Sequence, residues 1–201
     1  MVVRRAGLAR RSPVGGSVVH VFVLGIDPGV SRCGFAVLKA TPTGPKAKAI
    51  GVLRTDPNDE LPYRLAELHH ELKALLEEFT PVAVAIERVL FQVNVRTAMS
   101  VGQASGLVLA EAAARGALVT QYSPNEIKLT VAGYGDADKV AVQTMVQRLL
   151  GLSAPPQPAD AADACAVALT YLAQAKMSSA MERARRKADS AGRRNVAPQS
   201  L

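Results

Sequence analysis

Cysteine is scarce in this chain. Only Cys33 and Cys165 occur. One lies in a strand-like run and the other on an apolar helix face, so both read as buried, reduced thiols of a cytoplasmic protein. No run of about 18 uncharged apolar residues is present, which excludes a membrane-spanning helix. The N-terminal segment carries four arginines but no apolar stretch behind them, so it makes a poor signal peptide. No internal repeat is visible. Acid is missing from residues 1–20, which carry +4, and is sparse in residues 176–201, which carry +5. The segment between them carries −2, within a total of +7. The basic excess therefore belongs to the tails. Such tails read as disordered and drawn to polyanions. Three accounts of them stay open: solubilising, DNA-contacting or, for the first twenty residues, the product of an early start codon.

What the chain does have is a substantial apolar fraction, 49% of 201 residues, enough for one domain with a real core. HVFVLGID is a β-branched run that predicts a buried strand; PGVSR is a tight turn. CGFAVLKA and KAIGVLRT predict two more strands around a Thr-Pro-Thr-Gly-Pro turn, forming an antiparallel meander. Leucines at spacings of three and four predict a helix over LPYRLAELHHELKALLEEF, stopped by Thr80-Pro81. VAVAIE is apolar on both faces, hence a central strand parallel to the first. Residues 96–115 predict a helix rich in small side chains, in which Gly102 and Gly106 suit close approach by the sheet or by a second subunit's helix. ALVTQY predicts a fifth strand. Two helices follow, with Ser123 and Asp136 as expected N-caps, then a final helix over PADAADACAVALTYLAQA. The fold class is α/β: a mixed five-stranded sheet, three antiparallel strands then two parallel, flanked by helices. The expected organisation is a disordered basic extension over 1–19, a domain over 20–175 and a disordered basic tail over 176–201.

Four carboxylates stand out. Asp27 closes the first strand and Glu87 closes the central one. Functional groups of α/β sheets gather at such strand ends. Asp160 and Asp163, three apart, share one face near the start of the last helix. A charge at the end of a buried strand is costly unless something pairs it. Four converging charges would need hard divalent cations, and two such ions can run phosphodiester cleavage. Taken singly, each acid has an ordinary structural explanation: a turn-starting Asp27, a Glu87–Arg88 ion pair, helix-start acids at 160 and 163.

Together with their surroundings these acids carry a resemblance. GIDPGVSRCGFAV, AIERVLFQVNVRTA, VAGYGDADKVAVQ and PQPADAADACAVA, in this order over about residues 20–175, resemble the RuvC family of bacterial Holliday-junction resolvases. The resemblance implies an RNase H-like fold and assigns Asp27, Glu87, Asp160 and Asp163 as catalytic, metal-binding carboxylates for two Mg²⁺, with Mn²⁺ as a substitute. One ion would lower the pKa of the attacking water and the other stabilise the leaving 3′ oxygen, giving 5′-phosphate and 3′-hydroxyl ends. No histidine lies within these blocks, so metal rather than imidazole is expected to activate the water. Lys128 and Lys139 match lysines near the DNA backbone, and Arg88 and Arg96 are weaker phosphate candidates. The family places an aromatic three residues after the glutamate to stack at the junction centre. Here that position is Leu90, so Phe91, one later, is the expected stacking residue. The resemblance further implies four-way junction DNA as substrate, a two-fold homodimer through the 96–115 helix, and a RuvA–RuvB motor as partner. The runner-up is a related RNase H-like nuclease on another branched or RNA-containing substrate. An actin-like kinase shares the G-I-D-x-G turn but needs a second domain and a further phosphate-loop glycine cluster, which this chain lacks. A non-enzymatic junction-binding module would not need all four acids.

Overall fold

The computed structural model describes residues 21–88 and 95–194, with their side chains except those of 95–97 and 182–194. Strands β1 (Phe22–Asp27), β2 (Arg32–Lys39) and β3 (Lys46–Arg54) form the meander. Helix α1 (Leu61–Phe79) leads to β4 (Ala83–Glu87), α2 (Val95–Ala114) to β5 (Leu118–Tyr122), and α3 (Pro124–Ala132), α4 (Lys139–Leu150) and α5 (Ala159–Arg194) complete the described chain. The sheet order is β3-β2-β1-β4-β5. β1 pairs antiparallel with β2 and parallel with β4, which pairs parallel with β5. This is the mixed sheet expected from the hydrophobic pattern.

Each sheet face buries its own core. Leu24, Ile26 and Val84 pack against Leu68, Leu72 and Leu76 of α1 and Val108 of α2. Val23, Ala83 and Ala85 pack against Ile127 of α3, Val146 of α4 and the alanine-rich face of α5. Alternate residues of one strand thus serve opposite layers, as a pleat requires. Pro81 forbids another turn of α1. Thr80 closes the helix in the left-handed region at φ 42°, its N–H bonded to the Leu76 carbonyl.

Two local expectations differ from the structure. The N-cap of α4 is Asp138, not Asp136: its carboxylate accepts the Ala141 N–H at 2.7 Å, which makes Lys139 the first helical residue. The last helix does not end at Ala175. It runs to Arg194, because no glycine or proline interrupts residues 159–191 and Ala, Met, Lys, Arg and Glu favour helix. Residues 176–181 are exposed, so this continuation leaves the core. Residues 1–20 and 195–201 lie outside the described chain. Cys33 and Cys165 are free and buried, and burial pushes both thiols up to about 12.

Candidate active site

β1 and β4 run parallel in the register Ile26↔Ile86, so Asp27 and Glu87 leave adjacent strands at the same end. The acid pair of α5 reaches them because two strand positions carry no side chain. A Cβ on Gly34, which faces Asp27 across the β1–β2 ladder, would lie 2.0 Å from the Asp160 carbonyl oxygen. A Cβ on Gly25 would lie 2.2 Å from the Ala164 carbonyl oxygen and 2.7 Å from the Ala168 Cβ. Backbone therefore rests on backbone along one stripe of α5: Asp160, Ala164, Ala168. Ala161, Ala162, Cys165 and Val167 beside it are fully buried. The first turn of α5 is laid over the ends of β1 and β2, and Asp160 and Asp163 come with it.

All four carboxylates line one cavity of ≈ 270 Å³, together with Lys128, Lys139, Pro124, Ile127, Val142 and Ala166. The electrostatics report crowding. Burial pushes the Asp27 carboxyl up to about 8, reinforced by Glu87, then Asp163, then Asp160, with Lys139 opposing. Glu87 is raised by burial and by Asp163, against Lys139 and Lys128. Asp163 is raised by burial, Lys139 opposes, and Asp160 adds to the rise. Two cations answer two of the acids: Lys139 Nζ stands 3.5 Å from Asp163 Oδ2, and Arg32 forms an ion pair with Asp160. Among the described residues no three acidic, histidine or cysteine side chains are drawn together tightly enough to hold an ion as they stand. Even so, the donor set suits hard divalent cations: four carboxylates share one cavity, with too little positive charge beside them.

The other expected site residues divide. Lys128, half-buried on α3, and exposed Lys139 both face the acids. Ser123 places α3 through a capping box: its hydroxyl accepts the Glu126 N–H, and its own N–H donates to the Glu126 carboxylate at 2.7 Å. Arg88 turns away; its Nη2 donates to the Gln121 carbonyl at 3.4 Å, beside the end of β5. Arg88 is therefore not part of the cavity wall. Leu90 and Phe91 lie outside the described residues, as does the Arg96 side chain. Arg32 escaped the sequence reading. It sits two residues before Gly34, on the same face of β2, and alternation alone could have put it beside the α5 acids. Gly25 and Gly34 also went unread, although glycine inside a strand signals close backbone approach.

The sequence profile of the family described as crossover junction endodeoxyribonuclease RuvC matches residues 23–171. A protein of that name from Salinispora arenicola is 48% identical over 169 residues, covering 82% of this chain and 97% of its own. One from Thermobifida fusca is 45% identical, covering 82% and 91%. Among solved structures, T. thermophilus RuvC in complex with a Holliday junction substrate superposes with TM-score 0.75 at 36% identity, over 79% of this chain and 97% of the other. A yeast mitochondrial Holliday junction resolvase shares the fold at TM-score 0.57 and 17% identity, covering 76% and 79%. With its RNase H-like sheet and its carboxylates at the ends of β1, β4 and the start of α5, the chain belongs to the RuvC family of crossover junction endodeoxyribonucleases.

Proposed function

We propose that this chain resolves Holliday junctions in recombination and DNA repair by paired, symmetric, divalent-metal-dependent nicks that leave 5′-phosphate and 3′-hydroxyl ends. The observation that carries the reading is the cavity at the end of β1, where Asp27, Glu87, Asp160 and Asp163 converge and where burial, reinforced by the three neighbouring acids, pushes the Asp27 carboxyl up to about 8. Asp27, Glu87, Asp160 and Asp163 are the residues that would hold the ions. When bound, two Mg²⁺ (or Mn²⁺) supply a water of lowered pKa and positive charge toward the leaving oxygen. Lys128 and Lys139, which line the same cavity, hold the DNA backbone beside the acids, each as a compact phosphate-binding charge. Arg88 and Arg96 are further phosphate contacts. Phe91, or Leu90 before it, stacks on a base at the opened junction centre, a contact worth ~1–3 kcal/mol for an aromatic.

Two symmetric cuts require two such cavities related by a dyad, so the working form is a homodimer. The α2 face supports this. Among the described residues nothing lies within 4 Å of a Cβ built on Gly102 or Gly106, and Met99 beside them is 60% exposed. The chain's own sheet therefore does not use the close approach these glycines allow, which leaves a second subunit. Gly106→Leu is expected to weaken the dimer at least tenfold in Kd, read by sedimentation equilibrium. A wild-type Kd would remove α2 from the interface. A RuvA–RuvB branch-migration complex is the partner the family resemblance implies, and the cytoplasm the compartment. Among the described residues no helix is long and apolar enough to cross a membrane.

The decisive assay incubates the protein with a synthetic four-way junction, a matched duplex and an RNA–DNA hybrid, with Mg²⁺ or EDTA. Paired nicks at matching positions, in the junction and only with Mg²⁺, are expected. Equal cutting of the hybrid or the duplex would instead favour the related nuclease acting on another substrate.

A further inference from the structure

We infer that Arg32 is a positioning residue that governs metal loading by holding Asp160 as an internal counter-ion. The inference rests on the metal reading of the cavity. Arg32 opens β2 directly after the turn that follows Asp27, and its guanidinium is paired with the Asp160 carboxylate. The pleat aims it: Gly34 faces the α5 backbone, so the side chain two residues earlier faces the first turn of α5. The base of Arg32 is fixed from below. Arg64 of α1 donates through Nη2 to the Ser31 hydroxyl and through Nε to Thr55 Oγ1 at 3.0 Å, and the Thr55 hydroxyl donates to the Val30 carbonyl at 2.8 Å. The turn is thus pinned at Val30 and Ser31, and Arg32 leaves it in a set direction.

Asp160 engaged with Arg32 and Asp163 facing Lys139 leave no ready-made three-carboxylate cage among the described residues. The Arg32–Asp160 pair is not deeply buried; the two side chains are 44% and 28% exposed. Such a pair is weak enough to exchange. Arg32 would compete with a divalent ion for Asp160. Without ions, Arg32 pairs the Asp160 carboxylate, one of the charges that raise Asp27. With ions, it sets how tightly the Asp160 side binds.

Mn²⁺ binding to the full chain without DNA, followed by electron paramagnetic resonance and calorimetry, tests this. Wild type should bind Mn²⁺, and Asp27→Asn should abolish that binding; if no Mn²⁺ site sensitive to Asp27 exists, the metal reading itself fails. Given that site, Arg32→Ala should tighten Mn²⁺ about two- to fivefold, the scale of an exposed ion pair. Arg32→Gln, which keeps length without charge, should match it, and Arg32→Lys should return the affinity close to wild type. In an Asp160→Asn background the gain should vanish, because the competition has lost its object. An Arg32→Ala or Arg32→Gln affinity equal to or weaker than wild type, in a chain that melts normally, overturns the role of Arg32 and leaves the metal reading standing.

Discussion

Asp27→Asn is expected to abolish junction cleavage, by on the order of a thousandfold or more, while junction binding stays within about twofold of wild type. The asymmetry follows from position. Asp27 lines the cavity at the end of β1, whereas Lys128 on α3 and exposed Lys139 on α4 line it from separate helices. The amide removes one charge and one would-be metal ligand but touches no phosphate contact. The same variant should be more stable than wild type in EDTA at pH 8. The Asp27 carboxyl is pushed up to about 8 by burial and by its three acidic neighbours. The folded chain therefore holds this proton more tightly than the unfolded chain. Stability from this group is complete below about pH 4 and is lost as pH rises toward 8, at up to about 1.4 kcal/mol per pH unit. Glu87 and Asp163, raised in the same direction, steepen the loss. Melting curves in EDTA from pH 5 to 8 should fall for wild type and flatten for Asp27→Asn. Parallel curves would show that burial and the neighbouring acids do not raise the Asp27 carboxyl, and wild-type nicking by the variant would end the catalytic assignment.

Gly34→Ala should cost about a hundredfold in kcat with the fold intact. The added methyl would sit 2.0 Å from the Asp160 carbonyl oxygen and 2.6 Å from its carbonyl carbon. Neither is the tip of a flexible side chain, so the first turn of α5 must lift. A displacement near 1 Å is enough to cost about 100-fold in a positioned reaction. The rest of α5 stays seated through Ala164, Cys165, Val167 and Ala168, all buried against the sheet. Single-turnover cleavage, circular dichroism and a gel-shift on the junction separate the effects. Normal cleavage in a stably folded variant would mean that α5 is not held at this point.

The architecture was legible because its signals are local. Alternating and continuous apolar runs marked all five strands, and leucine spacing marked α1. The acids were legible because each closes or opens an element: Asp27, Glu87, Asp160. What escaped depends on elements meeting. The approach of Gly25 and Gly34 to α5 appears only when helix and sheet are brought together, and so does the partner of Arg32. The start of α4 moved by two residues because either Asp136 or Asp138 could cap it, and the ladder decides between them. The end of α5 was misplaced by reading charge as disorder, although Lys, Arg and Glu are good helix formers.

The three contacts of α5 with the strand glycines fall four residues apart, at Asp160, Ala164 and Ala168. Four residues make slightly more than one helical turn, and each residue advances the helix by about 100°. One residue gained or lost within 160–168 would swing the acid pair out of line with the glycines it rests on, and no side-chain adjustment could restore it. The exposed continuation beyond Ala175 can change length, but the stretch from Asp160 to Ala168 cannot. Evolution of this enzyme is thereby channelled: its tail is free to grow, while the distance from acid to anchor is frozen by the turn of a helix.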